Sequence, residues 1–173
     1  MRLQAILTLA AAGVLAVTMM ATGQMKAQQG GDTVLKPADM QKLLPASVFY
    51  RAQVATTQLR NSGGVKFADG YYVLATMVDT SGYSSAVQSK YQAYFITEVP
   101  LKMGGQNLPA GAYGVGFIAG NKFVVTDMGA HDVLTVAADE DAGLKRPVPL
   151  QVAADQSGGF RLYAGRRYVI FSR

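Results

Sequence analysis

Residues 108–127, LPAGAYGVGFIAGNKFVVTD, read as a β-hairpin. Tyr113, Val115 and Phe117 alternate with Gly114, Gly116 and Ile118, the Gly120-Asn121 pair supplies a turn, and Phe123 and Val125 resume the alternation. Successive side chains of a strand point to opposite faces, so Gly114 and Gly116 leave one face of the first strand nearly bare. A second sheet, an aromatic ring or the chain's own backbone can approach closely there.

The period of two extends on both sides of this ribbon. Phe49, Arg51, Gln53 and Ala55 fall on one face of a strand starting at Val48, with Val48, Tyr50, Ala52 and Val54 on the other. That strand is expected to run to Leu59 and stop at the turn cluster Arg60-Asn61-Ser62-Gly63-Gly64. Residues 65–67 and 71–79 form the next hairpin around Asp69-Gly70, and YYVLATMV is apolar enough for a strand buried on both faces. Residues 85–90 have room for a helical turn, 91–99 return to alternation, and 100–111 read as a short edge hairpin at Gly104-Gly105.

After the hub come a turn at 128–130, a strand at 133–137 and an exposed Asp139-Glu140-Asp141 loop. Pro147 and Pro149 mark an edge segment leading to 151–153, and a last hairpin pairs 160–163 with 168–171 around Ala164-Gly165. Only KPADMQKLL, 36–44, reads as helix: Pro37 suits the first turn, Asp39 favours the N-terminal end, and Pro45 stops it. The expectation is an all-β, single-domain sandwich or small barrel of about nine strands with one short N-terminal helix.

Composition bounds the rest. A hydrophobic share of 50% with 16% charged residues fits a folded domain, and the 173 residues suit one such domain. The absence of cysteine removes disulfides, thiolate metal sites, a cysteine nucleophile and a lipidated N-terminal cysteine. Residues 1–23 have the parts of a signal peptide: Arg2, an apolar run from Leu3 to Ala21, and the small residues Ala21-Thr22-Gly23 before a 23/24 cleavage, with 27/28 second. An uncleaved anchor is the competing reading. Residues 24–35 then form a flexible leader and 36–173 the β-domain, exported to the periplasm or beyond the cell, with the membrane involved only through the signal segment. The net charge of +5 falls to +4 without Arg2 and +3 without Lys26 as well. The only dense basic groups are Lys145-Arg146 and Arg166-Arg167, which argues against a nucleic-acid partner.

LPAGAYGVGFIAGNKFVVTD resembles the core hairpin of small, uncharacterised bacterial exported β-domain proteins, in which Leu-Pro-Ala-Gly-x-Tyr introduces a strand. RNSGGVKFADG and VDTSGYSS look like segments of secreted proteins of the same type. The resemblance implies fold and export, and no functional residue is carried over from it.

Chemistry-bearing patterns are sparse. His131, the only histidine, has no G-x-S-x-G elbow to serve, and a single imidazole without thiolates does not build a usual zinc site. Asp127, Asp132, Asp139, Glu140 and Asp141 do not follow calcium-loop spacing, and no phosphate-binding glycine loop is present, so no metal and no cofactor are expected. A carboxylate pair for glycoside hydrolysis, such as Asp79 with Glu98, depends on a spatial separation that the sequence does not carry. The remaining set is Arg51, Gln53, Arg60, Glu98, Arg161 and Tyr163, with Gln58 and Asn61 nearby. If Arg51 and Arg161 face the same mouth, two guanidiniums and a tyrosine can hold a carboxylate or other anion; otherwise they are solvent-face residues, or Arg51 pairs with Glu98. The leading functional expectation is a non-enzymatic binding or interaction module for a protein partner or small anionic ligand. A β-fold hydrolase using carboxylate or arginine chemistry and a structural accessory of a surface complex are the alternatives.

Overall fold

The computed structural model describes residues 31–173. The proposed signal segment, both cleavage points and the first part of the leader lie outside these residues. In chain order the elements are β1 (Thr33–Leu35), α1 (Pro37–Met40), β2 (Ser47–Tyr50), β3 (Gln53–Lys66), β4 (Tyr72–Val78), α2 (Ser85–Gln88), β5 (Ala93–Thr97), β6 (Leu101–Met103) and β7 (Gln106–Leu108). They continue with β8 (Gly111–Ile118), β9 (Lys122–Thr126), β10 (Asp132–Ala137), β11 (Asp139–Glu140), β12 (Gln151–Ala154), β13 (Phe160–Ala164) and β14 (Arg167–Ser172).

All pairings are antiparallel. An eight-stranded sheet runs β1-β3-β4-β5-β8-β9-β10, with β2 attached to β3; a six-stranded sheet runs β12-β13-β14-β6-β7, with β11 attached to β14. Neither closes on itself, so the fold is an all-β sandwich and not a closed barrel. No helix among the described residues is long and apolar enough to cross a membrane.

The hub hairpin forms as read: β8 and β9 pair from Gly114↔Thr126 to Ile118↔Lys122, across a turn with φ +74° at Gly120 and +50° at Asn121. Register then sorts the side chains. Tyr113, Val115 and Phe117 of β8 join Phe123 and Val125 of β9 on the face toward the second sheet, where they meet Leu162, Val169 and Phe171 in the main core. Gly114 and Gly116 face the other way, and what fills the space differs at the two positions. A Cβ on Gly114 would lie 2.7 Å from the Tyr50 ring and 2.8 Å from the Tyr91 ring. A Cβ on Gly116 would collide with the backbone carbonyl of Lys90.

The first sheet is therefore the middle layer. Over its outer face lie Val48, Tyr50 and Ala55 of the β2–β3 hairpin, Tyr83, Val87 of α2 and Tyr91. Tyr50 stacks on Tyr91 at 3.7 Å between ring centroids, and Tyr83 meets both edge-on. The Tyr83 hydroxyl donates to the Tyr50 carbonyl at 2.9 Å, tying the α2 loop to the hairpin. Elsewhere on that face Met40 of α1 and Leu44 pack on Leu74 of β4, with Leu35 and Leu59 beside them.

Two further glycines bring the sheets together at their margins. A Cβ on Gly63 would sit 2.9 Å from the Val152 nitrogen, where β3 passes β12, and one on Gly104 would sit 2.7 Å from the Val136 Cβ, where the β6–β7 turn meets β10.

Several sequence expectations are corrected. The strand expected from Val48 to Leu59 is two strands, because the chain reverses at Arg51-Ala52, whose φ values of +46° and +61° suit a two-residue hairpin turn. No Gly, Asn or Pro marks that turn, so strict alternation concealed it. Conversely, the Arg60–Gly64 cluster is no turn: β3 continues through it to Lys66, with an irregularity between Gln58 and Ser62. Thr33–Leu35, placed in the leader, pairs with β3 as an edge strand, and Asp139–Glu140, read as loop, pairs with Tyr168 and Arg167. Together these give more strands than nine. Helix 36–44 shortens to Pro37–Met40 plus turns, and Ser85–Gln88 does form a helical turn.

Replacing Gly116 by alanine should lower unfolding stability by about 1–3 kcal/mol in a urea titration, because backbone has to move. Gly31→Ala, where a Cβ meets nothing, should be neutral. The Tyr91 hydroxyl is buried without a hydrogen-bond partner among the described residues, so Tyr91→Phe should leave stability unchanged or raised in the same assay.

Candidate functional site

The candidate residues disperse. Arg51 sits in the β2–β3 turn over the outer face of the first sheet, its amide donating to the Met128 carbonyl at 2.9 Å. Gln53 opens β3 opposite Tyr50 and is exposed, its carbonyl accepting from Tyr83 at 3.3 Å. Arg161 and Tyr163 lie on β13 with register opposite to Phe160 and Leu162, whose side chains enter the core between the sheets. They therefore belong to the outer face of the second sheet. The whole sandwich separates Arg51 from Arg161, so the shared mouth expected from sequence is not formed.

Arg161 and Tyr163 do come together, in a network that is already neutralised. Arg161 Nε reaches Asp155 Oδ1 at 2.5 Å, its Nη1 lies 3.3 Å from the Tyr163 hydroxyl and 3.7 Å from Asp141 Oδ2, and the guanidinium stacks 4.5 Å from the Tyr168 ring centroid. Tyr163 in turn donates to Asp141 at 3.0 Å. Ser157 donates through both its hydroxyl and its amide to Asp155, and with Arg161 this holds the Asp155 carboxyl down at about 2. Two carboxylates facing one guanidinium make this a clamp that fastens the 141 loop to β13, not an anion site.

Glu98 is exposed at the other end of the first sheet and accepts the Tyr72 amide at 2.7 Å, so it pairs with neither Arg51 nor any other arginine among the described residues. Asp79 follows the far end of β4, where its carboxylate accepts the Ser81 amide at 3.0 Å. The length of β4 separates it from Glu98, roughly 20 Å at about 3.3 Å per residue. Glycosidase carboxylates stand within about 10 Å of one another, so this pair is not one. His131 is exposed and contacts Asp127 Oδ2 at 3.1 Å, and among the described residues no three Asp, Glu or His side chains gather into a metal cluster.

Arg60 has the informative position. Gln58 pairs with Met77 and Ser62 with Thr76, so residues 59–61 bulge out of β3 with no counterpart on β4. Asn61 donates to Gln58 Oε1 at 3.0 Å and the Ser62 hydroxyl to the Leu59 carbonyl at 2.5 Å, closing the bulge on itself. Bulges re-aim side chains. Here Arg60 and Asn61 are turned toward a cleft between the margins of the two sheets.

Compared with models of known families, with curated proteins and with solved structures, the chain matches none. Geometry alone therefore ranks the surfaces.

The largest departure from ordinary surface is the β2–β3 hairpin. Its inner residues Val48, Tyr50 and Ala55 are buried, while the cross-strand pair Phe49 and Val54 on the opposite face is 60% and 69% exposed. Strand β2 pairs only with β3 among the described strands. A two-residue turn makes its closing pair, Tyr50↔Gln53, hydrogen-bonded, so the backbone groups of Ser47 and Phe49 point away from β3. Neither Ser47 nor Phe49 contributes to a backbone hydrogen bond outside the strand ladder. Lysine, proline or a bulge normally blunts such an edge; Ser47–Tyr50 has none of these. Alternation marked Phe49 as a strand residue, but only the hidden turn at Arg51-Ala52 makes β2 an edge.

The clamp yields a pH test. A depressed carboxyl contributes stability that is complete above its ordinary value near 4 and is lost as pH falls toward about 2. The melting-temperature difference between the wild type and Asp155→Asn should be constant above about pH 5 and shrink below about pH 4. A difference independent of pH would mean that Asp155 acts by packing alone.

Proposed function

We propose that the protein is an exported, non-enzymatic interaction module that takes an extended polypeptide segment as an added strand along β2. The observation that carries this reading is the open edge of β2 beside the exposed Phe49–Val54 pair. The outward N–H and C=O groups of Ser47 and Phe49 repeat at strand spacing, and another extended backbone supplies partners at that spacing. Phe49 and Val54, at a non-hydrogen-bonded position where side chains stand close, provide an apolar platform for one side chain of the incoming segment. Arg51 at the hairpin tip is exposed and has no ion pair among the described residues, which favours a segment with an acidic residue beside its apolar one. The signal-like sequence of residues 1–23 supports an exported setting.

Selection from a random decapeptide display library should return alternating apolar sequences carrying Asp or Glu. On binding, hydrogen exchange at the Ser47 and Phe49 amides should slow at least tenfold. Phe49→Lys, which should leave the buried face of the hairpin intact, should abolish selection. Peptides that bind the Phe49→Lys variant equally well, or that protect amides elsewhere, would overturn the reading.

A further inference from the structure

The seam between the sheets carries a second feature, separate from the β2 edge. Where β1 and β3 of the first sheet pass β12 of the second, a cleft of about 380 Å³ opens. Its size falls in the range of small-molecule sites. Its apolar side chains are Val34 and Pro37 on one side and Val148 and Pro149 on the other, with Leu150 of the main core beneath. Val148 remains 41% exposed there. The polar groups are few: Lys36, Arg60, Asn61, Ser62 and Gln151.

The charge of this lining is one-sided. Lys36 and Arg60 contribute two cations, no carboxylate lines the cleft, and neither cation forms an ion pair among the described residues. Asp39, the nearest carboxylate in sequence, is engaged with the Lys36 backbone amide at 3.0 Å. Arg161, by contrast, is matched by Asp155 and Asp141. The depression on the other side of the bulge, about 460 Å³ along residues 56–61, has the same Arg60 but only Ala46 and Leu59 as hydrophobic residues. An apolar tail thus finds a continuous wall only toward β12.

Two details suggest that the cleft is built. The Gly63–Val152 approach draws the sheet margins together directly beside it, while the residue 59–61 bulge, held by its own Asn61 and Ser62 hydrogen bonds, lifts Arg60 out of the ladder at the same place. From these observations we infer that the cleft binds an amphipathic carboxylate, its anionic head on Arg60 and Lys36 and an unbranched aliphatic tail along Val148, Pro149 and Val34. A guanidinium donates two parallel hydrogen bonds to a carboxylate, and Asn61 stands next to Arg60 in the bulge with an amide donor.

Sodium octanoate is the probe and octanol its uncharged counterpart. Calorimetric titration of the full chain should show saturable octanoate binding, with octanol at least about tenfold weaker, the loss expected for one charge-assisted hydrogen bond. Octanoate should shift the Ser62, Gln151 and Val152 amide resonances and leave Ser47 and Phe49 unmoved, which separates this site from the β2 edge. Arg60→Gln should weaken octanoate binding about tenfold or more while leaving octanol unchanged, and Val148→Asp, which puts a carboxylate in the wall, should abolish octanoate binding. Circular dichroism checks that both variants stay folded. Absence of saturable octanoate binding, equal affinity for octanol, or an Arg60→Gln variant that binds octanoate as the wild type does would each overturn the assignment.

Discussion

The structure depends on β8 being approached closely from both sides. On one face Tyr113, Val115 and Phe117 enter the core between the sheets; on the other, Gly114 and Gly116 leave a trough that no side chain of β8 can fill. Burying that trough requires a third layer, and the Tyr50–Tyr91 stack and the Lys90 backbone provide it. Close packing leaves little tolerance there, since a single methyl on either glycine meets a ring or a carbonyl. The tyrosine cluster, the α2 turn and the β2–β3 hairpin are therefore consequences of two missing side chains.

This origin explains the character of the hairpin. Its inner face, Val48, Tyr50 and Ala55, is needed to cover the trough, so the arm is fixed in place. Its outer face is not needed for folding, yet it carries Phe49 and Val54. Large exposed apolar side chains at an unblunted strand edge work against solubility unless another chain uses them. The seam cleft differs in kind: there Gly63 lets the sheet margins approach and the bulge takes Arg60 out of the β3–β4 ladder, beside a small space lined by cations and aliphatic residues.

Charge separates the arginines in a way composition does not. Arg161 is held by Asp155, Asp141, Tyr163 and the Tyr168 ring, and Arg173 by Asp69 with Phe67 beneath it. These are fasteners, with their charge spent on the protein itself. Arg51 and Arg60 have no such partners among the described residues, and both occupy backbone irregularities, a left-handed turn and a bulge. Irregular backbone places a side chain outside the alternation that would otherwise bury it or pair it.

By itself the sequence determined the class of fold, the hub hairpin and its bare face, the turns at Gly70, Gly104-Gly105 and Gly120, and the closing hairpin, because each is local: alternation and turn chemistry act within a few residues. Only the tertiary structure decided the rest. Glycine in a strand and glycine in a turn look alike in sequence, so Gly63 and Gly64 read as a turn when their role is close approach; Arg51 and Ala52 read as strand when contact with Met128 holds them in a turn. Which arginines share a surface depends on the pairing of strands far apart in the chain. Alternation gives each arginine a face of its own strand, and nothing local says which layer that face meets.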